Sequence, residues 1–133
     1  MKVEEAIKRR RTIRKFKDKE VSFKTLKKLA DAGRLAPSGM NLQPLEFLIV
    51  DDQELGKKIF RNSGWAGSVE WSPSEEERPR AYIVILANRE VRSEGYEHDS
   101  GLAAENICLS AVSEGLGTRS EEHTSELQSP SAI

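Results

Sequence analysis

Residues Arg9 to Phe16 read Arg-Arg-Arg-Thr-Ile-Arg-Lys-Phe, which sets four guanidinium groups around the hydroxyl of Thr12. A phosphate monoester carries about two negative charges and three strong acceptor oxygens. Arginine suits such a group because its planar fork donates paired hydrogen bonds and keeps its proton. A second stretch, Ala36 to Pro44, reads Ala-Pro-Ser-Gly-Met-Asn-Leu-Gln-Pro. Pro37, Ser38 and Gly39 form a turn signal, in which Gly39 can take backbone angles closed to other residues and let backbone approach a ligand closely. Ser38, Asn41 and Gln43 add short polar side chains that both donate and accept. A third candidate is Asp99, in His98-Asp99-Ser100-Gly101. It can serve as a helix cap or as a polar contact to a ligand, and its position alone does not separate the two. Taken by itself the basic run also suits a solvated face or a nucleic-acid patch.

The elements that must position these groups are legible in outline. Val3, Ala6 and Ile7 share one face of a short helix that delivers the chain into the basic run, with Glu4 and Glu5 in its first turn. Ser22 is placed as the N-cap of a second helix, on which Leu26, Leu29, Ala30, Ala32 and Leu35 follow helical spacing until Pro37 stops it. Leu45 to Val50 reads as a strand, after which Asp51 or Asp52 can cap a helix from Gln53 to Phe60. Between Asn62 and Arg80, glycines, prolines, both tryptophans and the run Glu75-Glu76-Glu77 predict a long loop with a helical turn, of the kind that acts as a lid. Trp65 and Trp71 either line such a lid or pack in the core.

Ala81 to Ala87 is wholly apolar and of β type, so it predicts a strand buried on both faces. Glu97 to Glu114 carries the strongest helical pattern, with Leu102, Ala103, Ile107, Leu109, Ala111 and Val112 on a broad apolar stripe and Gly115 as the C-cap. Phe16 is expected in the core. This order of helices and strands points to an α+β fold, a sandwich of layers.

The bulk properties narrow the function further. At 133 residues the chain forms one domain at most. Its 37% apolar and 32% charged content is hydrophilic yet far from that of a disordered chain. With 21 basic against 22 acidic residues, bulk electrostatics argue against a general nucleic-acid binder, and no aromatics interleave with the cations. A single cysteine, Cys108, forms no intrachain disulfide and sits between apolar neighbours, which suggests a packed thiol in a reducing, cytoplasmic compartment. No apolar run approaches a membrane span, and neither metal-ligand spacing nor a nucleotide-hydrolase phosphate loop is present.

Arg10 to Phe16 fits the pattern Arg-Arg-Ser/Thr-x-Arg-x-Phe, and it is followed by Pro37, Ser38, Gly39, Asn41 and Gln43-Pro44, then by Asp-x-Gly-x-Ala-x-Glu-Asn from Asp99 to Asn106. The set, in this order across Val3 to Thr118, resembles the nitroreductase-like flavoprotein family. The resemblance implies a three-layer α/β/α sandwich that binds flavin mononucleotide (FMN) at a homodimer interface, takes hydride from NAD(P)H and reduces a small acceptor such as a nitroaromatic or a quinone. It implies that Arg10, Arg11 and Thr12 meet the phosphate end, and that Arg14 lies towards the pyrimidine edge of the isoalloxazine. Pro37, Ser38, Gly39, Asn41 and Gln43 would face the FMN held mainly by the partner subunit, with Asp99 a contact to the ribityl chain or flavin. The flavin does the chemistry, so no catalytic side chain is expected. Two departures from the family pattern are Leu45 in place of tryptophan and Glu105 in place of glutamine.

Arg119 to Ser129 reads Arg-Ser-Glu-Glu-His-Thr-Ser-Glu-Leu-Gln-Ser, which resembles an in-frame translation of a DNA-sequencing adapter. The expectation is therefore a partial FMN-binding domain over 1–118, truncated at its C-terminus, followed by a disordered artefact tail over 119–133. A chain cut there is expected to fold poorly, to hold FMN weakly and to be inactive.

Overall fold

The computed structural model describes residues 1–66, 69–121 and 131–132. Helix α1 (Val3–Arg9) buries only Ala6, and its Glu4 and Glu5 at one end and Lys8 and Arg9 at the other complement the helix dipole. In α2 (Phe23–Arg34) the Ser22 hydroxyl accepts from the Thr25 N–H at 3.1 Å, which is the expected cap. This helix stops three residues before Pro37. Leu35 consequently falls past its end and is exposed instead of joining the apolar face. Strand β1 (Leu45–Val50) follows, and Asp52 then caps α3 (Gln53–Arg61) by accepting from the Leu55 N–H at 2.9 Å.

Strand β2 (Tyr82–Ala87) runs antiparallel to β1, with Leu45 opposite Ala87 and Val50 opposite Tyr82. Its alternation assigns the two faces. Ile83 and Ile85 pack with Leu29 of α2 and with Ala103, Ile107 and Ala111 of α4 (Tyr96–Ser113), while Tyr82 and Val84 pack with Val50 and Ile59 on the α3 side. Helices therefore cover both faces of the sheet, and the expected three-layer α+β arrangement is the one observed. On its second edge β2 pairs, among the described residues through Val84 and Ile85, with the two-residue strand β3 (Ser131–Ala132).

Helix α4 ends in a Schellman motif: Gly115 (φ 76°) donates to Val112 O at 3.0 Å and Leu116 donates to Ala111 O at 2.8 Å. Gly115 thus lies one residue beyond the cap position, which Glu114 occupies. Leu102, assigned to the apolar stripe, is half exposed, whereas Ala103 and Ile107 carry the contact with the sheet. Past the turn, Thr118 forms a parallel bridge to Thr12, and its carbonyl accepts from the Ile13 N–H at 2.9 Å.

The segment between α3 and β2 contains the helical turn, Glu75–Glu77, closed by reciprocal bonds between Ser74 and Glu77. Trp65 is buried against Phe60 and Phe16, at centroid separations of 5.5 and 6.5 Å, so it belongs to the core, while Trp71 is exposed. Phe16 itself is half-buried. Most of the tail reading falls on 122–130 and 133, outside the described residues. Its first residues are held instead of free: the Arg119 guanidinium stacks 4.4 Å from the Trp65 ring centroid, and Glu121 accepts from the Gly64 N–H at 2.8 Å.

Candidate functional site

The basic run begins at the C-cap of α1, where the chain turns from helical to extended at Arg10. Its cations are distributed among individual partners. Arg9 pairs with Glu5 at 3.2 Å, Arg10 Nε lies 3.6 Å from Glu105 on α4, and Lys15 lies 3.6 Å from Glu77. Arg14 donates through Nε to the Trp65 carbonyl at 2.9 Å. Arg11 makes no hydrogen bond or ion pair among the described residues and is exposed, as is Thr12 outside its backbone bridge. A nucleic-acid patch gains no support from this arrangement, because the run does not present a continuous face of unpaired cations. It does leave Arg11 and Thr12 open to an anion, with Arg10 loosely held beside them. That donor set fits a phosphate monoester.

The loop from Pro37 to Pro44 folds back on itself. Ser38 Oγ accepts from the Gln43 N–H at 2.9 Å, and the Gln43 side-chain amide donates to Asn41 Oδ1 at 3.0 Å. Asn41 and Gln43 are otherwise exposed, and Pro37 is exposed at the loop's entry. Left-handed backbone in this loop occurs at Met40 (φ 51°), Asn41 (φ 55°) and Gln43 (φ 53°). Left-handed backbone costs a residue with a Cβ on the order of 1 kcal/mol, least for asparagine. At position 39 the close neighbour is a side chain: a Cβ there would lie 2.1 Å from Nη1 of Arg92 and would displace the guanidinium.

Arg92 is the group that sequence reasoning missed. Its Nη1 donates to both carboxylate oxygens of Asp99, at 2.9 and 2.8 Å, and its Nε donates to the Glu94 carbonyl at 2.8 Å. Asp99 Oδ1 also accepts from the Gly39 N–H at 3.1 Å. Asp99 does not cap α4. Gly95, with φ 78°, holds the N-cap position, and Asp99 lies four residues further on, inside the first turn and only 2% exposed. Its buried carboxylate is used to tie the loop to the helix. No spacing rule picks out Arg92. The only local signal is Gly95, where a Cβ would also meet the guanidinium, 2.5 Å from Nη2.

Asn106, one turn beyond Ala103, donates to the Ala32 carbonyl at 3.1 Å and so joins α4 to α2. His98 is exposed on the first turn of α4. Burial pushes the Cys108 thiol above its usual range, against an opposing hydrogen bond with Thr118, which fits a packed thiol and not a nucleophile. Among the described residues no group of three or more His, Cys, Asp or Glu side chains is placed to hold a metal, and no helix is long and apolar enough to cross a membrane.

A cavity of about 580 Å³ lies elsewhere, between Ile13, Leu26, Leu29, Ile83, Ile107 and Ala111. None of Arg10, Arg11, Thr12, Arg14 or the 37–44 loop lines it. Its inner wall is apolar core and its rim carries charged side chains, among them Lys15, Arg80 and Glu114, so it is separate from the polar groups that the sequence singled out.

The sequence profile of the Nitroreductase family matches residues 7–121. A Methanothermobacter thermautotrophicus protein named "Putative NADH dehydrogenase/NAD(P)H nitroreductase" is 35% identical over 118 residues, which cover 88% of this chain and 59% of that protein. The fold is similar to that of a nitroreductase family protein from Clostridium novyi NT, at 31% identity and a TM-score of 0.77, covering 96% of this chain and 73% of the other. It is also similar to a nitroreductase with bound FMN from Bacteroides fragilis, at 25% identity and a TM-score of 0.67, covering 90% and 69%. The chain spans 59% and 60% of the length of the first two curated relatives that it matches.

Proposed function

The chain belongs to the nitroreductase family, and from that premise we propose that it contributes an FMN site to an oxidoreductase that takes hydride from NADH or NADPH and delivers it to a small acceptor such as a nitroaromatic or a quinone. The observation that carries this reading is the pairing of an open anion site, Arg11 and Thr12 with Arg10 beside them, with a separate polar loop whose Asn41 and Gln43 are exposed. The bound FMN of the Bacteroides fragilis protein and the NAD(P)H nitroreductase name of the Methanothermobacter relative support the same choice of cofactor and reductant.

Arg10, Arg11 and Thr12 hold the phosphate end by charge-assisted hydrogen bonds. Arg14, steadied by the Trp65 carbonyl, directs positive charge towards the pyrimidine edge of the flavin. FMN, when bound, supplies the hydride-accepting and hydride-donating chemistry. Pro37, Ser38, Gly39, Asn41 and Gln43 wall the flavin of a second copy of the chain, which makes the working unit a homodimer. Exposure of the large apolar residues Leu35 and Met40, at 66% and 88%, beside and within this loop supports burial against a partner. Asp99 acts behind the loop and not on the ligand. A single buried cysteine and the lack of any membrane-crossing helix among the described residues suit a cytoplasmic protein.

Titration of FMN with the protein, read by flavin fluorescence and visible absorption, tests the assignment. Saturable quenching, weak for a chain that spans 59% of its relative's length and weaker still in Arg11→Ala, is the expected result. Quenching that is equal in the parent and in Arg11→Ala would remove the phosphate site from the proposal.

A further inference from the structure

We propose that Arg92 is the positioning residue for the Ser38–Gln43 loop: it fixes Asp99, which in turn fixes the Gly39 N–H, while Arg92 itself touches no ligand. Three features carry this. The first is backbone strain. Met40, Asn41 and Gln43 hold left-handed angles within four residues, and such conformations persist only where surrounding contacts over-determine them. The second is where the loop's bonds go. Ser38 with Gln43 and Gln43 with Asn41 close the loop on itself, and these bonds survive any rigid displacement of the whole turn. Its attachment to the body of the domain runs through Gly39 N–H to Asp99 at the start, and through the Pro44 carbonyl, which accepts from the Asn88 N–H at 2.8 Å, at the end.

The third feature is steric. One guanidinium lies against two glycines, Gly39 and Gly95, so close that a Cβ on either would displace it from Asp99. Arg92 is thus both the counter-charge of Asp99 and the floor beneath Gly39. Its Nε bond to the Glu94 carbonyl sets the plane of the group, so Nη1 meets both carboxylate oxygens of Asp99 in one orientation. Without it, Asp99 would be a buried carboxylate with one neutral donor, and such a group does not keep its place. The inference deepens the proposed flavin site, resting on that reading only for what the loop faces.

The experiment compares amide hydrogen exchange at Gly39 and Gln43 with FMN affinity in the parent chain, R92A, R92K and R92A/D99N. In R92A the Gly39 N–H is expected to exchange about tenfold faster or more, as befits loss of a bond to an ionised acceptor, while the Ile107 amide in α4 keeps its parent rate. R92K restores part of the protection, since an ammonium still pairs with Asp99 but lacks the second nitrogen that holds the Glu94 carbonyl. If R92A does not fold, R92A/D99N removes the buried charge and reports the same loop opening. Unchanged Gly39 exchange in R92A or the double variant, or equal acceleration at Gly39 and Ile107, overturns the clamp. FMN affinity that falls in R92A and partly returns in R92K extends the clamp to the flavin; affinity unchanged while Gly39 exchanges faster overturns that positioning role. Should the parent fail to bind FMN at all, the functional proposal falls, and the exchange rates still decide the clamp.

Discussion

The two ends of α4 are built on opposite terms. At its N-terminal end, Asp99, Arg92, Gly39 and Glu94 form a small polar cluster in which the buried carboxylate meets a paired cation and a backbone donor. At its C-terminal end, Ile107 and Ala111 border the 580 Å³ cavity, and three buried polar atoms on residues lining it, Trp65 Nε1, Arg80 Nε and Tyr82 Oη, have no hydrogen-bond partner among the described residues. The first end is over-determined and holds a strained loop in place. Among the described residues the second is underfilled, in a domain whose β2 is buried on both faces. Precision is therefore concentrated where the ligand-facing loop is docked, and stability is limited where buried polar atoms border a cavity.

Removing the keystone of the satisfied end is expected to have the largest effect. Asp99→Ala leaves the largely buried Arg92 guanidinium without its counter-charge and the Gly39 N–H without its acceptor, at a cost of about 3 kcal/mol. Urea unfolding checks this, and a loss below about 1 kcal/mol would mean that the two ends of α4 are not so different.

The underfilled end is sharpened by Tyr82. Burial pushes its phenol up to about 12, whereas the unfolded chain ionises near its ordinary value of 10.0. Above pH ~10 the unfolded state then binds fewer protons than the folded one. Stability contributed by the neutral phenol is present in full below that pH and is lost as pH rises to about 12, to the extent of about 2 kcal/mol. Tyr82→Phe is expected to flatten this alkaline decline and, by deleting a buried hydroxyl without a partner, to stabilise the protein at neutral pH by about 1 kcal/mol. Unfolding curves taken from neutral to alkaline pH in both proteins measure the two effects, and a destabilised Tyr82→Phe would show that the hydroxyl is satisfied after all.

The smallest expected effect lies between the two ends, at Glu105. Its 3.6 Å pair with Arg10 is half exposed and screened, so Glu105→Gln should move stability by no more than about 0.5 kcal/mol. It also frees Arg10 for phosphate, and at low ionic strength FMN affinity should rise by about threefold, an advantage that shrinks as salt is added. Affinity unaltered by the substitution would remove Arg10 from the phosphate contacts.

Much of this was legible before any coordinates. Short-range signals were sufficient wherever the physics is local: Ser22 and Asp52 cap helices because a side-chain oxygen reaches an N–H three residues on, and Ala81 to Ala87 reads as a central strand because every position is apolar. The basic run and the proline-bounded loop were likewise visible as chemistry. Their roles in the architecture were less so. Leu35 and Leu102 follow helical spacing and are nonetheless exposed, since spacing marks a face without saying whether anything covers it.

What the chain determined by itself is the set of elements, their order, and the residue types able to grip an anion. Only the tertiary structure decided that Asp99 serves the loop and not the helix cap, that the Arg92 guanidinium lies against Gly39, and that Arg10 is shared with Glu105. Each of these joins residues that only the packing of α4 against the rest of the domain brings within bonding distance, Gly39 and Asp99 being 60 positions apart. Hydrogen bonds and van der Waals contacts act over a few ångströms, so no pattern along the sequence records which distant groups will come to share that space.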